Sequence, residues 1–484
     1  MRNAFPTLPG PRRIHGLDPA LAQLRLARDP LGRMTELFER YSAPVALVRG
    51  GGGRVFSGDP NCPGVVFVRG RELTREVELD HDRFHRSGLT GQLTPPPDAP
   101  ERRRPILEWG TGLFAVNGEE HRRHRRLMSP FFTRSRVESY FEEMQKATAA
   151  MLARWQPGQN LDVHREMMNL TVRISARTLL GMDIDADQTI FQAGAESLRL
   201  VLSPWVLLAP WDLPGLPYRR FLVAVRAFNA AIRETIEARR RAPLSLSDVL
   251  SQLIEAHDEE GKLSDAQVVG HASVIYAASH ETTGNALTWA LFLLSQHPHW
   301  YRAACEEVRS TLKGDAPTPA DLDRLEVLDW VIHETLRLTP PAPWTTRIAA
   351  ADGCVGGHFV PRGTEIVVSI FHTHRIEPIY EQPDRFDPAR WQHIHPDVFQ
   401  FNAFSAGTRA CIGSGFALLE MKLVLAMLLR RFRLEFDPSR PVDPVLNITM
   451  APRSGLRMKL RDDTRFELGV GNARGRIRKL VELP

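Results

Sequence analysis

With 484 residues, 43% hydrophobic and 25% charged, the chain has the composition of a globular protein with a large core, not of a fibrous or disordered one. A net charge of +5 raises the question of nucleic acid, but the basic residues are not interleaved with aromatics and no nucleic-acid module is visible. The four cysteines, Cys62, Cys305, Cys354 and Cys411, form no Cys-x-x-Cys pair and no zinc-type spacing, which argues for a reducing, cytoplasmic compartment. Residues Met1 to Arg13 contain no apolar run of the signal-peptide kind. No stretch reaches the roughly 18 apolar residues of a membrane span, so no membrane anchor is expected.

In chain order, the pattern predicts a helix from about Leu31 to Tyr41, then short β runs at Val45 to Arg49 and Val65 to Arg69. Gly50-Gly51-Gly52-Gly53 lies between them; without Walker or Gly-x-Gly-x-x-Gly spacing it reads as a turn rather than a phosphate loop. From about Glu119 to Gln296 the pattern is mostly helical. Its longest helix starts at the capping-box sequence Ser264-Asp265-Ala266-Gln267 and runs to Gln296, before Pro298. Such an apolar helix, about 45 Å long, is expected to run buried through the middle of the molecule. Helices near His299 to Leu312 and Leu322 to Leu338 follow, then a β stretch including Glu365 to Ile370 and an irregular segment from Pro378 to Asn402. The reading is mainly α with a smaller β region: one domain over 1–460 and a basic tail over 461–484.

On the long helix lies Ala277-Ala278-Ser279-His280-Glu281-Thr282-Thr283. An acid beside an alcohol in mid-helix is poor helix material, because the hydroxyl competes for backbone bonds. A bond from the Thr282 hydroxyl to the Ala278 carbonyl would open a local groove, and such distortions are often functional. In isolation the pair would be a solvated helix face; inside an apolar helix it suits proton handling, with the hydroxyl holding water or dioxygen and Glu281 gating protons. Downstream, Phe404-Ser405-Ala406-Gly407-Thr408-Arg409-Ala410-Cys411-Ile412-Gly413 precedes an apolar helical run from Ser414 to Phe432. Gly407 and Gly413 let the backbone turn closely around a ligand, with amide N–H groups toward the Cys411 sulfur. Phe404 can shield that sulfur and Arg409 can neutralise an anion. A lone cysteine is usually structural, but one framed in this way can be a thiolate ligand to haem iron.

The frame Phe-x-x-Gly-x-Arg-x-Cys-x-Gly is the haem-binding signature of the cytochrome P450 family, which the chain resembles from roughly Pro6 to Leu460. The resemblance implies the fold of that family, with a long central helix over the haem, and a heme b cofactor (iron protoporphyrin IX) ligated by Cys411. It implies that His121 and Arg125, four apart on one helix face, join Arg347 and Arg409 in holding the haem propionates. Phe404, Gly413 and Ala278 would border the cofactor, and Thr282 and Glu281 would be the catalytic pair. Ser279 departs from the family's glycine. Glu334-x-x-Arg337 and Arg385, within Pro383-Asp384-Arg385-Phe386, would lock together and brace the cysteine loop. By family position the substrate pocket is lined by Leu113, Phe114, Tyr276, Ala277, Trp344, Ile448 and Met450, near the apolar segment Ser203 to Trp211.

The implied activity is that of a monooxygenase. Two electrons and two protons split O2, one atom leaving as water and the other entering a lipophilic substrate such as a fatty acid, terpenoid or secondary-metabolite scaffold. Electrons would come from a ferredoxin or flavodoxin-type reductase system. It would dock on a cationic face of Arg122, Arg123, Arg126, Lys422, Arg430 and Arg431. The alternatives are a peroxide-driven peroxygenase, against which Glu281-Thr282 argues, and a non-catalytic haem sensor.

Overall fold

The computed structural model describes residues 4–484 apart from 14, 56, 87–92, 94, 96–98, 185–187, 202, 204, 207–209, 242–247, 259–262, 315, 447–448 and 462–471. The first predicted helix is Pro30–Arg40, opened by Pro30 and by the Asp29 side chain, which accepts from Gly32 N–H. The two β runs are shorter than expected, Val45–Ala46 and Val65–Val68, and pair antiparallel with Val45 opposite Phe67. Gly50 to Gly53 all take positive φ, between 83° and 96°, a conformation that disfavours any side chain.

Val65–Val68 also pairs in parallel with Glu365–Ser369, so that Val65 lies opposite Glu365. Trp344–Ala349 and Phe84–His85 complete a five-stranded sheet. The sheet residues facing the N-terminal segment, including Val66, Val68 and Ile366, bury Phe5 and Leu8.

Helices form the rest of the core. The predicted helix from Ser264 to Gln296 is two helices, Asp265–Ser279 and Glu281–Gln296, joined at His280. The capping box is formed as expected, with Ser264 and Gln267 bonded reciprocally. Side chains bond the main chain on both sides of the break. His280 Nδ1 takes the Tyr276 carbonyl at 2.6 Å and Thr282 Oγ1 takes the Ala278 carbonyl at 2.8 Å, so two main-chain acceptors are occupied by side chains. The Thr171 hydroxyl bonds the His280 carbonyl at 2.9 Å from a neighbouring helix, Val163–Leu179.

After the break, every residue from Thr283 to Gln296 is buried, which accounts for the helix being apolar all round. The end of the chain is not a detached tail. Ala473, Ile477, Val481 and Leu483 are buried in the main core, and Glu482 N–H bonds the Asp384 carbonyl at 2.8 Å. Among the described residues no helix is long and apolar enough to cross a membrane.

Candidate functional site

Cys411 lies just before the buried helix Ser414–Arg431, in a loop that begins with a short 3-10 turn, Gly407–Arg409. Gly407 has φ +65°, and a Cβ there would strike the Glu78 carbonyl, so this position requires glycine. Gly413 does not: its φ is −93°, and an added Cβ would meet nothing nearer than the Phe132 ring at 3.8 Å. What Gly413 supplies is a backbone N–H near the cysteine sulfur, which favours the thiolate. The loop is closed by Cys411 N–H on the Phe404 carbonyl at 2.8 Å. Phe404 itself packs at the edge of the main core. The Cys411 side chain is open. The surrounding protein pushes its thiol pKa up, while the Gly413 N–H and the guanidiniums of Arg125 and Arg86 pull the other way.

Cations crowd this loop. On the helix Gly118–Met128, His121 is buried and Arg125 reaches the Ala410 carbonyl at 2.8 Å. Arg409 donates to the Leu113 carbonyl at 3.2 Å, the Val116 carbonyl at 2.7 Å and Asn117 Oδ1 at 2.6 Å. Arg347 is buried and paired with Glu78, which also accepts from Thr345 at 2.7 Å and Ser405 at 3.3 Å. Burial and mutual repulsion lower the Arg409 pKa to about 9 and the Arg86 pKa to about 10. Burial and the nearby arginines hold His121 neutral, down to about 3. Glu78 is the carboxylate that offsets this concentration of positive charge. A planar cofactor with two carboxylates beside Cys411 would complete the neutralisation, so the residues present fit heme b. Sequence reasoning missed Arg86 and Glu78, because single charged residues on a strand end and a helix carry no motif.

The cysteine loop and the broken helix are stapled through residues 111–117. Arg409 holds that segment from one side. From the other, Thr111 Oγ1 bonds the Ala266 carbonyl at 2.8 Å, and Gly112 sits so close to Gly270 that an added Cβ would lie 2.5 Å from its carbonyl oxygen. On the broken helix, Ala277, Ala278, Ser279, Glu281 and Thr282 are half-buried. The Ser279 Oγ is buried without a protein partner, whereas Ser273 on the same helix bonds back to the Val269 carbonyl at 2.9 Å. Glu281 accepts from Thr449 Oγ1 at 2.7 Å, and burial raises its carboxyl pKa against that hydrogen bond.

Of the expected pocket residues, Leu113 is buried beside the cysteine-loop staple and Phe114 carries the Arg86 guanidinium 5.2 Å from its ring centre. Ala277 and Trp344 are half-buried at the core edge. Two of the expected wall residues are also held by core contacts. Tyr276 is a core residue, 4% exposed, ringed by Phe191, Phe228 and His280, with its hydroxyl on the Phe191 carbonyl at 3.0 Å. Met450 is fully buried in the strand Met450–Pro452, where its carbonyl accepts from Trp289 Nε1 at 2.8 Å. Ile448 lies outside the described residues. In the apolar segment 203–211, Trp205 and Trp211 are 73% and 63% exposed.

The bracing cluster needs a correction. Glu334 and Arg337 pair through two bonds of 2.9 Å, both fully buried. The third charge is Arg390, whose Nε donates to Glu334 Oε1 at 3.0 Å, not Arg385. Arg385 gives Arg337 only its backbone carbonyl, while its side chain turns out to Gln382. The turn at Gln382, with φ +47°, aims Arg385 outward. The Pro388-Ala389-Arg390-Trp391 run was the available signal, since Trp391 Nε1 also bonds Glu334 at 3.0 Å. Lys422, expected on a cationic face, is buried and bonded to Asp329 at 2.6 Å.

The family model for cytochrome P450 matches residues 93–459. Pentalenene oxygenase of Streptomyces avermitilis is 34% identical over 399 residues, covering 80% of this chain and 86% of its own. Cyclooctat-9-en-7-ol 5-monooxygenase of Streptomyces melanosporofaciens is 33% identical over 380 residues, covering 76% and 79%. Among solved structures, the retinoic-acid-bound cyanobacterial CYP120A1 superposes with a TM-score of 0.80, covering 95% of this chain and all of that one at 24% identity.

Proposed function

The chain belongs to the cytochrome P450 family and is a heme b-dependent monooxygenase, and we propose that it oxygenates a cyclic terpenoid, drawing electrons from a separate ferredoxin or flavodoxin system. The haem, when bound, supplies the activation of O2. The observation that supports this reading best is the open Cys411 among guanidiniums that, among the described residues, outnumber the carboxylate facing them, Glu78.

In this reading Cys411 would ligate the haem iron as a thiolate, the form that the Gly413 N–H favours. Arg125, Arg347, Arg409 and neutral His121 would hold the propionates. His121 would do so as an N–H donor rather than a cation, because burial and the nearby arginines keep it deprotonated. Thr282, with its hydroxyl proton already on the Ala278 carbonyl, accepts from water at Oγ1 and so orients it in the groove. Glu281, with its carboxyl pKa raised by burial, takes and returns protons at the edge of that groove.

Thr282→Ala should therefore keep substrate binding and reduced-nicotinamide consumption, while product falls at least about tenfold and hydrogen peroxide accounts for the difference. Parallel assays of product, peroxide and nicotinamide decide this. Coupling equal to wild type would remove Thr282 from the proton path and leave Ser279 or water to carry it.

The substrate class rests on apolar wall residues such as Leu113, Ala277, Ala278 and Trp344, and on the two relatives, whose names carry terpenoid compounds. Burial at about 25 cal/mol per Å² would supply most of the affinity. Titration with cyclic terpenoid hydrocarbons and mono-alcohols should produce a low-to-high-spin absorbance shift. A shift with small polar compounds alone would sink the lipophilic assignment. The electron donor would be steered to Arg123, Arg126 and Arg431, which are exposed; Arg122 is partly engaged by Glu119 at 2.5 Å.

A further inference from the structure

We propose that Thr449, Asn285 and His164 are positioning residues for Glu281, forming a one-way chain of hydrogen bonds that ends on one oxygen of its carboxyl group. This deepens the monooxygenase reading and rests on it. The chain crosses three parts of the fold. His164, half-buried on the helix Val163–Leu179, lies with Nε2 at 3.0 Å from Asn285 Oδ1. Asn285, fully buried and one turn beyond Glu281 on the same helix, donates Nδ2–H to Thr449 Oγ1 at 2.8 Å. Thr449, buried just before the strand Met450–Pro452, donates to Glu281 Oε1 at 2.7 Å.

The direction follows from the donor inventory. An amide oxygen only accepts, so His164 carries its proton on Nε2; an amide nitrogen only donates, so Thr449 must accept from Asn285. The one hydroxyl proton of Thr449 is thereby committed to Glu281. An amide cannot pass a proton onward without tautomerising, so the chain orients Glu281 rather than conducting protons to it. Proton exchange is left to the other carboxyl oxygen, Oε2.

The chain also adjusts the acid. Burial favours the neutral carboxyl, and the Thr449 hydrogen bond favours the anion, so the two act in opposite directions. Among the described residues, the titratable groups around Glu281 add no opposing charge near pH 7. Burial pushes the Tyr276 phenol up and holds His280 neutral, down to about 4. Burial also lowers the His164 pKa, against the nearby Asp162 and its bond to Asn285. Loss of the Thr449 hydroxyl therefore shifts Glu281 in one direction, toward the protonated form.

The test is infrared titration of the haem-loaded protein, with Glu281→Gln subtracted to isolate the Glu281 carbonyl band. In Thr449→Val, which keeps the volume and removes the hydroxyl, the band should persist to about one pH unit higher than in wild type. Thr449→Ser should restore the wild-type titration. His164→Leu should shift the band in the same direction by less, and His164→Gln, which keeps a donor at that position, should not. An unchanged titration in Thr449→Val overturns the proposal. So does an equal shift in the serine and valine variants, which would make the effect one of packing. The carboxyl band reads Glu281 whether or not product forms, so a failure of the monooxygenase reading shows separately, as absent product in wild type.

Discussion

Cys411→Ala should yield a folded protein whose reduced, carbonyl-bound form lacks the strongly red-shifted Soret band and forms no detectable product. The red shift comes from thiolate donation to the haem, and alanine has no donor atom. The fold should survive, because the Cys411 side chain is open rather than packed and the loop is closed by a main-chain bond, Cys411 N–H to the Phe404 carbonyl at 2.8 Å, that alanine keeps. The other cysteines offer no substitute. Cys62 and Cys305 are buried with thiol pKa values raised by burial, and Cys354 lies on a separate two-stranded hairpin. Retention of the shifted band in the variant would identify a different ligand and remove the basis of the site.

The second large effect is expected at Glu334. Its carboxylate is fully buried and accepts from Arg337 twice, from Arg390, from Trp391 and from Asp387 N–H at 2.9 Å. Burial alone would raise its pKa, but Arg337, Arg390 and the Asp387 N–H outweigh that and hold it below the ordinary value of 4.5. Glu334→Ala leaves two guanidiniums buried without their anion, a cost of roughly 3–5 kcal/mol. Against a typical total of about 5–15 kcal/mol, that is enough to deplete the folded haem-loaded protein. Arg390→Ala should be comparably severe, while Arg385→Ala, at an exposed side chain, should stay within about 0.5 kcal/mol of wild type. Denaturant midpoints for the three variants decide which arginine closes the cluster. The pH sign is fixed by the depressed pKa. The contribution of Glu334 is complete above its unfolded-chain pKa and is lost as pH falls through the lower native value, so acid should release the haem region first.

Much of this was legible in the chain itself. The Cys411 frame, the Thr282–Ala278 bond and the Ser264 capping box are local, with all their determinants within a few residues. What escaped was set at long range. The break in the central helix at His280 is met by Thr171, on another helix, whose hydroxyl bonds the His280 carbonyl. Arg390 replaces Arg385 because the turn at Gln382 aims the nearer arginine outward. Tyr276 and Met450 are fixed by aromatic packing and by the Trp289 bond, partners that lie far away in the chain. Apolar side chains serve core and pocket alike, and sequence does not say which.

The sheet imposes a schedule on biosynthesis. Val65–Val68, four buried apolar residues in a row, finds its parallel partner only in Glu365–Ser369, three hundred residues later. At ribosomal rates of about 5–20 residues per second, that partner emerges roughly 15–60 s after the first strand. Throughout that interval a short, β-branched, uncharged segment has only the two-residue strand Val45–Ala46 beside it. Yield in a foreign host should therefore depend on chaperone capacity during translation more than on the stability of the finished protein.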